Sequence, residues 1–310
     1  MKSIHMGNQL PPFAFEGLDR LELERDNADA LAARALGGRA RYIPVWRNQI
    51  LVSPTRDAMV TLSVVPGGVD KAPILLGDIA GVPHYCVDVS ALPPSDSEQN
   101  AGPVVSDQGQ FVMPRTIAPT LPALDMGMTA LALHFAAWDR NAQFCGCCGG
   151  ATQQRQGGVS RACMTEGCGE LMFPRINPAV IMLIRDAADE RIILGKAPHL
   201  PDGMATVLAG YLSPGETMIQ AVKRETMEEV GISVTDVRYF GSQPWAYSGS
   251  LMVGFSAVAE STALTVNPAE LSHAAWYSRD EIRSLKAQKA IKLPTGFSIA
   301  RMLINAWLDD

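Results

Sequence analysis

Short apolar runs broken by Pro and Gly open the chain, and a longer apolar run with helical spacing follows them. RYIPVW and NQILVS alternate apolar and polar residues between turn formers, which predicts small β-strands joined by loops. The stretch from Met126 to Trp138 predicts a packed helix that closes a first domain. The positions that carry its helical spacing are Leu131, Ala132, Phe135 and Trp138.

The second half of the chain begins with a compact segment rich in Cys and Gly. Beyond it, PAVIMLIRDAADERIILGK predicts two strands joined by a polar turn, and SLMVGFSAVA predicts another strand. A helix is predicted within TGFSIARMLINAWL, so this part has a mixed α/β pattern. We therefore divide the chain into residues 1–140, 141–174 and 175–310, with a smaller mixed α/β domain first.

Composition indicates a globular chain that can hold two or three domains with real cores, since 47% of its 310 residues are hydrophobic and 19% are charged. The net charge of -6 argues against binding nucleic acid by bulk charge, although it leaves room for a local basic pocket. No apolar run has the length of a signal peptide core or of a membrane span. We therefore expect a cytoplasmic protein with no membrane partner.

Five of the six cysteines fall in one short segment, which in a reducing compartment indicates a metal site more than disulfides. A C-x2-C pair and a C-x4-C pair, separated by 14 residues, suit one tetrahedral Zn(II) held by two turns. The predicted ligands are Cys145, Cys148, Cys163 and Cys168. Four thiolates close the coordination shell, so this zinc is expected to be structural. Cys147 and Cys86 are interpreted as ordinary cysteines.

Three glutamates lie within five residues: Glu225, Glu228 and Glu229. A helix over residues 217–230, entered at Pro214 and Gly215 and ended at Gly231, places them at i, i+3 and i+4 on one face. Like charges at this spacing repel by a few tenths of a kcal/mol per pair, so a cationic partner is expected. Mg(II) or Mn(II), which prefer oxygen ligands, fit this role, and a solvated acidic helix face is the alternative.

The stretch that holds these glutamates, GYLSPGETMIQAVKRETMEEVGI, resembles the Nudix box, G-x5-E-x7-R-E-U-x-E-E-x-G-U, where U is a bulky apolar residue. Thr226 departs from the pattern at the first U. The matching positions are Gly210, Glu216, Arg224, Glu225, Glu228, Glu229, Gly231 and Ile232. The resemblance implies an α/β/α sandwich whose box binds cations that assist cleavage of a nucleoside diphosphate derivative.

The same resemblance assigns roles within the box. Glu225, Glu228 and Glu229 become metal ligands, and the carbonyl of Ala209 often joins them. Glu216 and Arg224 are expected to form a buried pair that braces the loop.

A second motif indicates one family within the Nudix superfamily. SQPWAYSGSLM is similar to SQPWPFPxSLM, the signature of NADH pyrophosphatases within the Nudix superfamily, and the four-cysteine segment is similar to that family's zinc ribbon. Ala246 and Ser248 replace two prolines of the signature, which leaves the loop less stiff. The loop residues implied to line the nucleotide pocket are Gln243, Pro244, Trp245, Ala246, Tyr247, Ser248, Gly249 and Ser250.

Other implied contacts lie outside this loop. Phe173 and Tyr211 occupy aromatic positions that sandwich a base, and Glu270 matches a further carboxylate that reaches the metals. Ala300 matches a backbone contact, and Arg115 is placed near a phosphate. Gly158 stands where relatives place a substrate-contacting Glu in the ribbon.

The family resemblance implies metal-dependent hydrolysis of the pyrophosphate of NADH and NAD⁺, giving reduced or oxidised nicotinamide mononucleotide and AMP, and of the NAD cap of RNA. A homodimer is the family's usual state. Glu229, followed by Glu228, is the residue expected to orient or deprotonate the attacking water.

Three other readings stay open from the sequence. They are a nucleotide-sensing module, a hydrolase of other nucleoside diphosphate derivatives such as ADP-ribose, and an RNA-binding zinc module around Arg155 and Arg161. The acidic total charge weighs against the last of these.

Overall fold

The computed structural model describes residue 6 and residues 10–95, 102–245 and 248–309, which fall into two compact units. The amino-terminal unit comprises residues 13–176 with 246–249. The carboxy-terminal unit comprises residues 177–245 and 250–310 with the residues up to Pro12. The cysteine-rich segment thus shares a unit with the first domain, and its separation as a domain of its own stays a prediction.

A five-stranded sheet with the order β3-β4-β1-β2-β5 forms the body of the amino-terminal unit, and only the β1 and β4 pair is parallel. Its strands are β1 (Arg41–Trp46), β2 (Gln49–Val52), β3 (Ile74–Ile79), β4 (Val82–Asp88) and β5 (Gln110–Val112). The first two confirm the strands predicted from RYIPVW and NQILVS. Helix α1 spans Ala28–Leu36, and α2 spans Ala123–Asn141, so the predicted packed helix is confirmed and extends further at both ends.

The cysteine-rich segment folds as a three-stranded antiparallel sheet with little apolar burial of its own. Its strands are β6 (Thr152–Arg155), β7 (Ser160–Cys163) and β8 (Leu171–Met172). Along β6, half-buried and exposed residues alternate, as expected of a strand with one open face. We call Phe144–Met172 the ribbon from here on.

The carboxy-terminal unit is built on a mixed six-stranded sheet. The strands are β9 (Asn177–Arg185), β10 (Arg191–Lys196), β11 (Leu208–Tyr211), β12 (Val234–Trp245), β13 (Ser250–Ala259) and β14 (His273–Ser278). The order is β12-β13-β9-β10-β14, with β11 also paired to β9. The helices are α3 (Met218–Val230), α4 (Arg279–Ala287) and α5 (Ile299–Leu308). The strands predicted from PAVIMLIRDAADERIILGK and SLMVGFSAVA are confirmed.

Strand β9 is buried on both faces, which explains its nearly continuous apolar sequence. Val180 and Met182 pack into one core with Ala221 and Val222 of α3. On the opposite face the core combines further β9 residues with α4 and α5: Ile181, Leu183, Ile282, Leu303 and Trp307. Helices therefore cover both faces of the sheet, and the predicted α/β/α sandwich is confirmed.

Helix α3 has defined signals at both ends. Thr217 caps the amino terminus and forms a capping box with Gln220, while Gly231 adopts a left-handed conformation with φ of 70° at the carboxy terminus. The predicted helix over residues 217–230 is therefore confirmed. No helix in the described ranges combines the length and the hydropathy that a membrane span requires.

Candidate active site and metal centre

The box begins where β11 passes under α3. Gly210 lies directly beneath the carboxylate of Glu225, and a Cβ at this position would overlap that carboxylate. The backbone of Gly210 is not left-handed, so glycine is favoured here by the close approach of the Glu225 carboxylate, which any larger residue would displace. Burial raises the pKa of Glu225, and its hydrogen bond from Arg224 opposes this effect.

One guanidinium connects the carboxylates at the start of the box. Arg224 donates from Nη1 to Glu225 Oε1 at 2.7 Å and to Glu228 Oε2 at 2.8 Å. Its Nε donates to Glu216 Oε2 at 3.0 Å, and its Nη2 donates to the carbonyl of Tyr211 at 2.9 Å. The hydrogen bond from Arg224, followed by that from the backbone of Ser213, lowers the pKa of Glu216 to about 2. This network fixes the loop that enters α3.

The Glu216 and Arg224 pair differs from expectation in one respect. Its side chains are 14% and 29% exposed, so the pair is half-buried and the expectation of a buried pair is wrong. The reason is local, since Glu216 precedes the helix on a loop that faces solvent on its outer side.

Thr226, the one departure from the box pattern, is fully buried. Its hydroxyl donates to the carbonyl of Val222 at 2.7 Å, one turn back along α3. The helix backbone therefore satisfies the only polar atom of this side chain, which leaves its methyl group to pack as an apolar residue would.

Glu229 is the most unusual acid of the cluster. It is 6% exposed, and its Oε2 has no hydrogen-bond partner among the described residues. Burial, followed by repulsion from Glu225 and Glu270, raises its pKa to about 8. A hydrogen bond from the backbone of Ala209 acts in the opposite direction and lowers this pKa. Glu228, by contrast, has a side chain that is 47% exposed. A buried carboxylate with one unpartnered oxygen is stabilised by a proton or by a cation.

Glu270 reaches this cluster through a loop that is hydrogen-bonded to the end of α3. The amide of Thr265 donates to Val230 O at 2.8 Å, and that of Asn267 donates to Glu229 O at 3.0 Å. Asn267 also donates from Nδ2 to Glu270 Oε1 at 3.1 Å. Glu270 repels both Glu225 and Glu229 electrostatically. The structure therefore brings together carboxylates that lie 41 positions or more apart in the sequence.

The donor set fits a hard divalent cation. The candidate ligand atoms are all oxygens. Arg224 does not bond Glu229, whose Oε2 has no hydrogen-bond partner among the described residues. Within the described ranges, the only group of three or more candidate ligand atoms that all lie within 4.8 Å of one another is the cysteine group. The glutamates of the box do not form such a group, so their fit to a cation rests on the chemistry of their oxygens and on the unpartnered Oε2 of Glu229.

The two predicted base-stacking residues, Phe173 and Tyr211, are both well exposed, each in its own unit. The hydroxyl of Tyr211 lies 3.3 Å from that of Ser250, which is buried. Trp245 stacks on Phe297 with ring centroids 6.2 Å apart.

The structure describes two of the four remaining loop positions, Ser248 and Gly249. Ala246 and Tyr247 lie outside the described residues, while Ser248 is exposed and Gly249 is left-handed, with φ of 64°.

Gln243 has a role that the sequence did not indicate. Its side chain is fully buried and donates from Nε2 to the carbonyls of Phe297 at 2.7 Å and Pro12 at 3.0 Å. Its Oε1 accepts from the amide of Ile299 at 2.7 Å. These bonds hold the start of α5, where Ala300 is buried, so Gln243 positions this segment through its backbone. No local sequence pattern signals such long-range bonds.

Two further predicted positions, Arg115 and Gly158, lie in the amino-terminal unit. Arg115 is exposed in a short 3₁₀ turn, Pro114–Thr116. Gly158 is buried in a left-handed conformation with φ of 94°, and a Cβ there would lie 2.9 Å from Ile74 Cγ1. Any side chain at this position would have to displace Ile74, which explains why a Glu is absent from it.

The four predicted cysteines converge in the ribbon, where their sulfurs all lie within 4.8 Å of one another. The Sγ atoms of Cys148 and Cys163 are 3.4 Å apart. At each turn a backbone amide points at a sulfur: Cys147 N lies 3.4 Å from Cys145 Sγ, and Thr165 N lies 3.4 Å from Cys163 Sγ. Such amide contacts are typical of metal-binding turns. The ribbon can therefore hold one tetrahedral ion.

The other two cysteines stay outside this group. Cys147 is exposed, and Cys86 is buried in the sheet of the amino-terminal unit, where its Sγ donates to the carbonyl of Ala132 at 3.4 Å.

Comparisons with known proteins agree with this architecture. Residues 175–295 match the Nudix domain, and residues 39–138 match the NADH pyrophosphatase-like rudimentary Nudix domain. The NAD-capped RNA hydrolase NudC of Mycobacterium bovis is 34% identical over 310 residues, covering 96% of this chain and 95% of the relative. The human NAD-capped RNA hydrolase NUDT12 is 37% identical over 205 residues. That match covers 61% of this chain and 44% of the relative, so the chain spans less than half the length of NUDT12.

Among solved structures, a Nudix hydrolase from Nitrosomonas europaea superposes with a TM-score of 0.44 at 19% identity, covering 54% of this chain and 90% of that chain. The family of the chain is shown by the two matched domains and by the Mycobacterium bovis relative, which aligns over nearly its full length. The chain belongs to the Nudix superfamily, in the NADH pyrophosphatase family that carries a rudimentary Nudix domain ahead of the Nudix domain.

Proposed function

We propose that this protein hydrolyses the pyrophosphate bond of NADH and NAD⁺, and of the NAD cap of RNA, to release nicotinamide mononucleotide and AMP or 5′-monophosphate RNA. The observation that carries the proposal is Glu229, a buried carboxylate beside Glu225 and Glu270 whose Oε2 has no hydrogen-bond partner among the described residues. The relatives are NAD-capped RNA hydrolases, which supports the choice of substrate.

Mg(II) or Mn(II) would be held by Glu225, Glu228, Glu229 and Glu270, with the carbonyl of Ala209. The cation supplies charge neutralisation for the diphosphate and a bound water of lowered pKa. Glu229 would accept or orient the proton of the attacking water, because it is the most buried carboxylate of the cluster and its Oε2 has no partner among the described residues. Arg224 positions Glu225 and Glu228 through its two Nη1 hydrogen bonds.

The nucleotide would stack on exposed aromatic side chains, since both of its bases offer π-faces. Tyr211 is the last residue of β11 and lies within the box, and its hydroxyl contact with Ser250 orients the ring. Phe173, the loop from Gln243 to Ser250, Ala300 and Arg115 complete the proposed substrate contacts. Gln243 would act through the backbone that it holds.

We further propose one structural Zn(II) in the four-cysteine group, a homodimeric state and a cytoplasmic location. The convergence of the sulfurs supports the zinc, because four thiolates give a closed tetrahedral shell.

A product assay tests the function. The protein is incubated with Mg(II) or Mn(II) and, in turn, NADH, NAD⁺, ADP-ribose, diadenosine polyphosphates and NAD-capped RNA. AMP from NADH and NAD⁺ and 5′-monophosphate RNA from the capped strand are the expected products. Absence of cleavage of every substrate would contradict the enzyme, and equal rates on all of them would contradict the NAD preference.

A further inference from the structure

Trp245, the tryptophan of the SQPWAYSGSLM loop, is stacked on Phe297. The two ring centroids are 6.2 Å apart, and the ring planes are inclined by 20° to each other. This is the geometry of an offset aromatic stack. Phe297 is buried, with 5% of its surface exposed, whereas Trp245 is half-buried. The indole therefore rests on a buried ring and keeps part of its own surface open to solvent.

The position of Phe297 is fixed through its backbone. Gln243 donates from Nε2 to the carbonyl of Phe297 at 2.7 Å and accepts at Oε1 from the amide of Ile299 at 2.7 Å. The next residue, Ser298, caps α5 and accepts at its hydroxyl from the amide of Arg301 at 3.3 Å. The strand β12 and the helix α5 thus hold Phe297 from both sides, and neither restraint uses its side chain.

The end of β12 meets the start of α5 at two neighbouring points. Gln243 and Trp245 lie two positions apart on β12, so their side chains point to the same face of the sheet. Gln243 binds the backbone of this segment, and Trp245 packs on the ring of Phe297. The glutamates of the proposed metal site lie on other elements, α3 and the loop before β14. A change in the ring of Phe297 therefore acts on Trp245 and leaves the metal ligands in place.

The sequence after Trp245 lacks a restraint that the family's signature supplies. Ala246 and Ser248 stand in place of two prolines, and neither residue restricts φ as proline does. A chain without these prolines loses more conformational entropy when the loop takes one conformation. The orientation of the Trp245 indole therefore depends more strongly on the contacts of its ring, among which is the stack on Phe297.

We infer that Phe297 is a positioning residue for the proposed reaction, whose ring holds the Trp245 indole in the orientation in which one base of the dinucleotide stacks on it. The inference rests on the proposed hydrolysis of NADH and NAD⁺. A base gains more from a ring that is already oriented, because binding then does not have to order that ring. Phe297 itself lies beneath the indole and acts through it.

Phe297→Leu removes the ring and keeps the backbone bonds to Gln243. The KM for NADH should rise roughly three- to tenfold, the factor that corresponds to the strength of one aromatic pair. The kcat should stay within about twofold, because the base contact is the same in the ground state and in the transition state. Phe297→Tyr keeps an aromatic ring and should restore the KM. Steady-state kinetics with Mg(II) measure both constants.

Phe240→Leu is the matched control for the loss of a buried ring. Phe240 belongs to the same core as Ile299 and Ala300 of α5, and it lies five residues before Trp245 on β12. Melting temperatures of the two Leu variants should fall together, whereas the KM for NADH should rise only in Phe297→Leu. A shared loss of stability with no difference in KM would assign Phe297 to the core alone and would overturn the inference.

Competitive inhibition identifies the base that stacks on Trp245. AMP and nicotinamide mononucleotide carry one base each, and the Ki of one of them should rise in Phe297→Leu by the same factor as the KM. If the unmodified protein cleaves NADH and neither Ki changes in Phe297→Leu, this inference fails and the proposed function stands. If the unmodified protein does not cleave NADH, the proposed function fails and the inference fails with it.

Tryptophan fluorescence tests the stack without a change at Phe297. Saturating AMP or nicotinamide mononucleotide, without added divalent cation, should quench the emission of the unmodified protein through the base on the Trp245 indole. Trp245→Phe should lose this quenching. Trp276→Phe is the control, since the indole of Trp276 donates to the carbonyl of Thr262 on another part of the sheet. Equal quenching in the two variants, or none in the unmodified protein, would also overturn the inference.

Discussion

Gly210 lies against the carboxylate of Glu225, so closely that a Cβ on the glycine would overlap the carboxyl group. Glu225 is buried and is held from its other side by Arg224. Gly210 therefore sets the position of Glu225, a proposed metal ligand. The packing of Gly210 and the charge of Arg224 together hold the Glu225 carboxylate in place.

Replacement of Gly210 by Ala tests this relationship. The added methyl group should push Glu225 away, lower the free energy of unfolding by about 1–3 kcal/mol and reduce turnover of NADH at least tenfold. Thermal unfolding and steady-state kinetics measure the two effects. Gly296→Ala is the matched control, because a Cβ there meets nothing within 4 Å. A Gly210→Ala variant as stable and active as this control would show that the contact has no consequence.

Glu229 should make the stability of the protein depend on pH when no divalent cation is present. Its pKa rises from 4.5 to about 8 on folding, so the folded state retains a proton that the unfolded state releases. The contribution of Glu229 to the free energy of unfolding is therefore fully present below pH 4.5 and is lost as pH rises towards 8, by at most about 1.4 kcal/mol per pH unit.

Melting temperatures between pH 5 and pH 9 measure this dependence. Glu229→Gln should flatten the curve, while Glu260→Gln, an exposed control, should leave it unchanged. Addition of Mg(II) should reverse the trend for the unmodified protein, because the cation binds the ionised carboxylate and competes with the proton. Identical curves for Glu229→Gln and the unmodified protein would contradict the assigned pKa.

The ribbon should lose its structure together with its metal. Cys148→Ser removes one of four converging sulfurs, so the metal content should fall from one zinc per chain to nearly none. Elemental analysis by mass spectrometry measures the content, and hydrogen exchange over residues 144–172 reports the unfolding. Cys147→Ser is the control, since Cys147 lies outside the sulfur cluster. Equal zinc loss in both variants would contradict the ligand assignment.

Local signals were sufficient to predict much of this structure. The ends of α3 follow from Thr217 and Gly231, and the cysteine spacing selects the four sulfurs that converge. The strands β9, β10 and β13 follow from apolar runs bounded by turn residues. In each case the information lies within a few residues of the feature it specifies.

Long-range contacts could not be predicted in this way. Gln243 is buried by hydrogen bonds to Pro12, Phe297 and Ile299, and the sequence gives no sign that these segments meet. Arg25, in an otherwise polar stretch, joins the ribbon to β3 and so places both in one unit. The contacts of these residues depend on the tertiary fold, and local patterns in a single sequence do not predict them.

We propose that this chain uses its glutamate cluster to cleave the pyrophosphate of NAD(H). Phosphorus NMR of NADH mixed with the protein and Mg(II) tests it most directly, since a diphosphate and two monophosphates give separate resonances. We expect the diphosphate signal to be replaced by those of AMP and reduced nicotinamide mononucleotide, and Glu229→Gln to slow this conversion at least a hundredfold. An unchanged diphosphate signal with the unmodified protein, or equal rates for the two proteins, would contradict it.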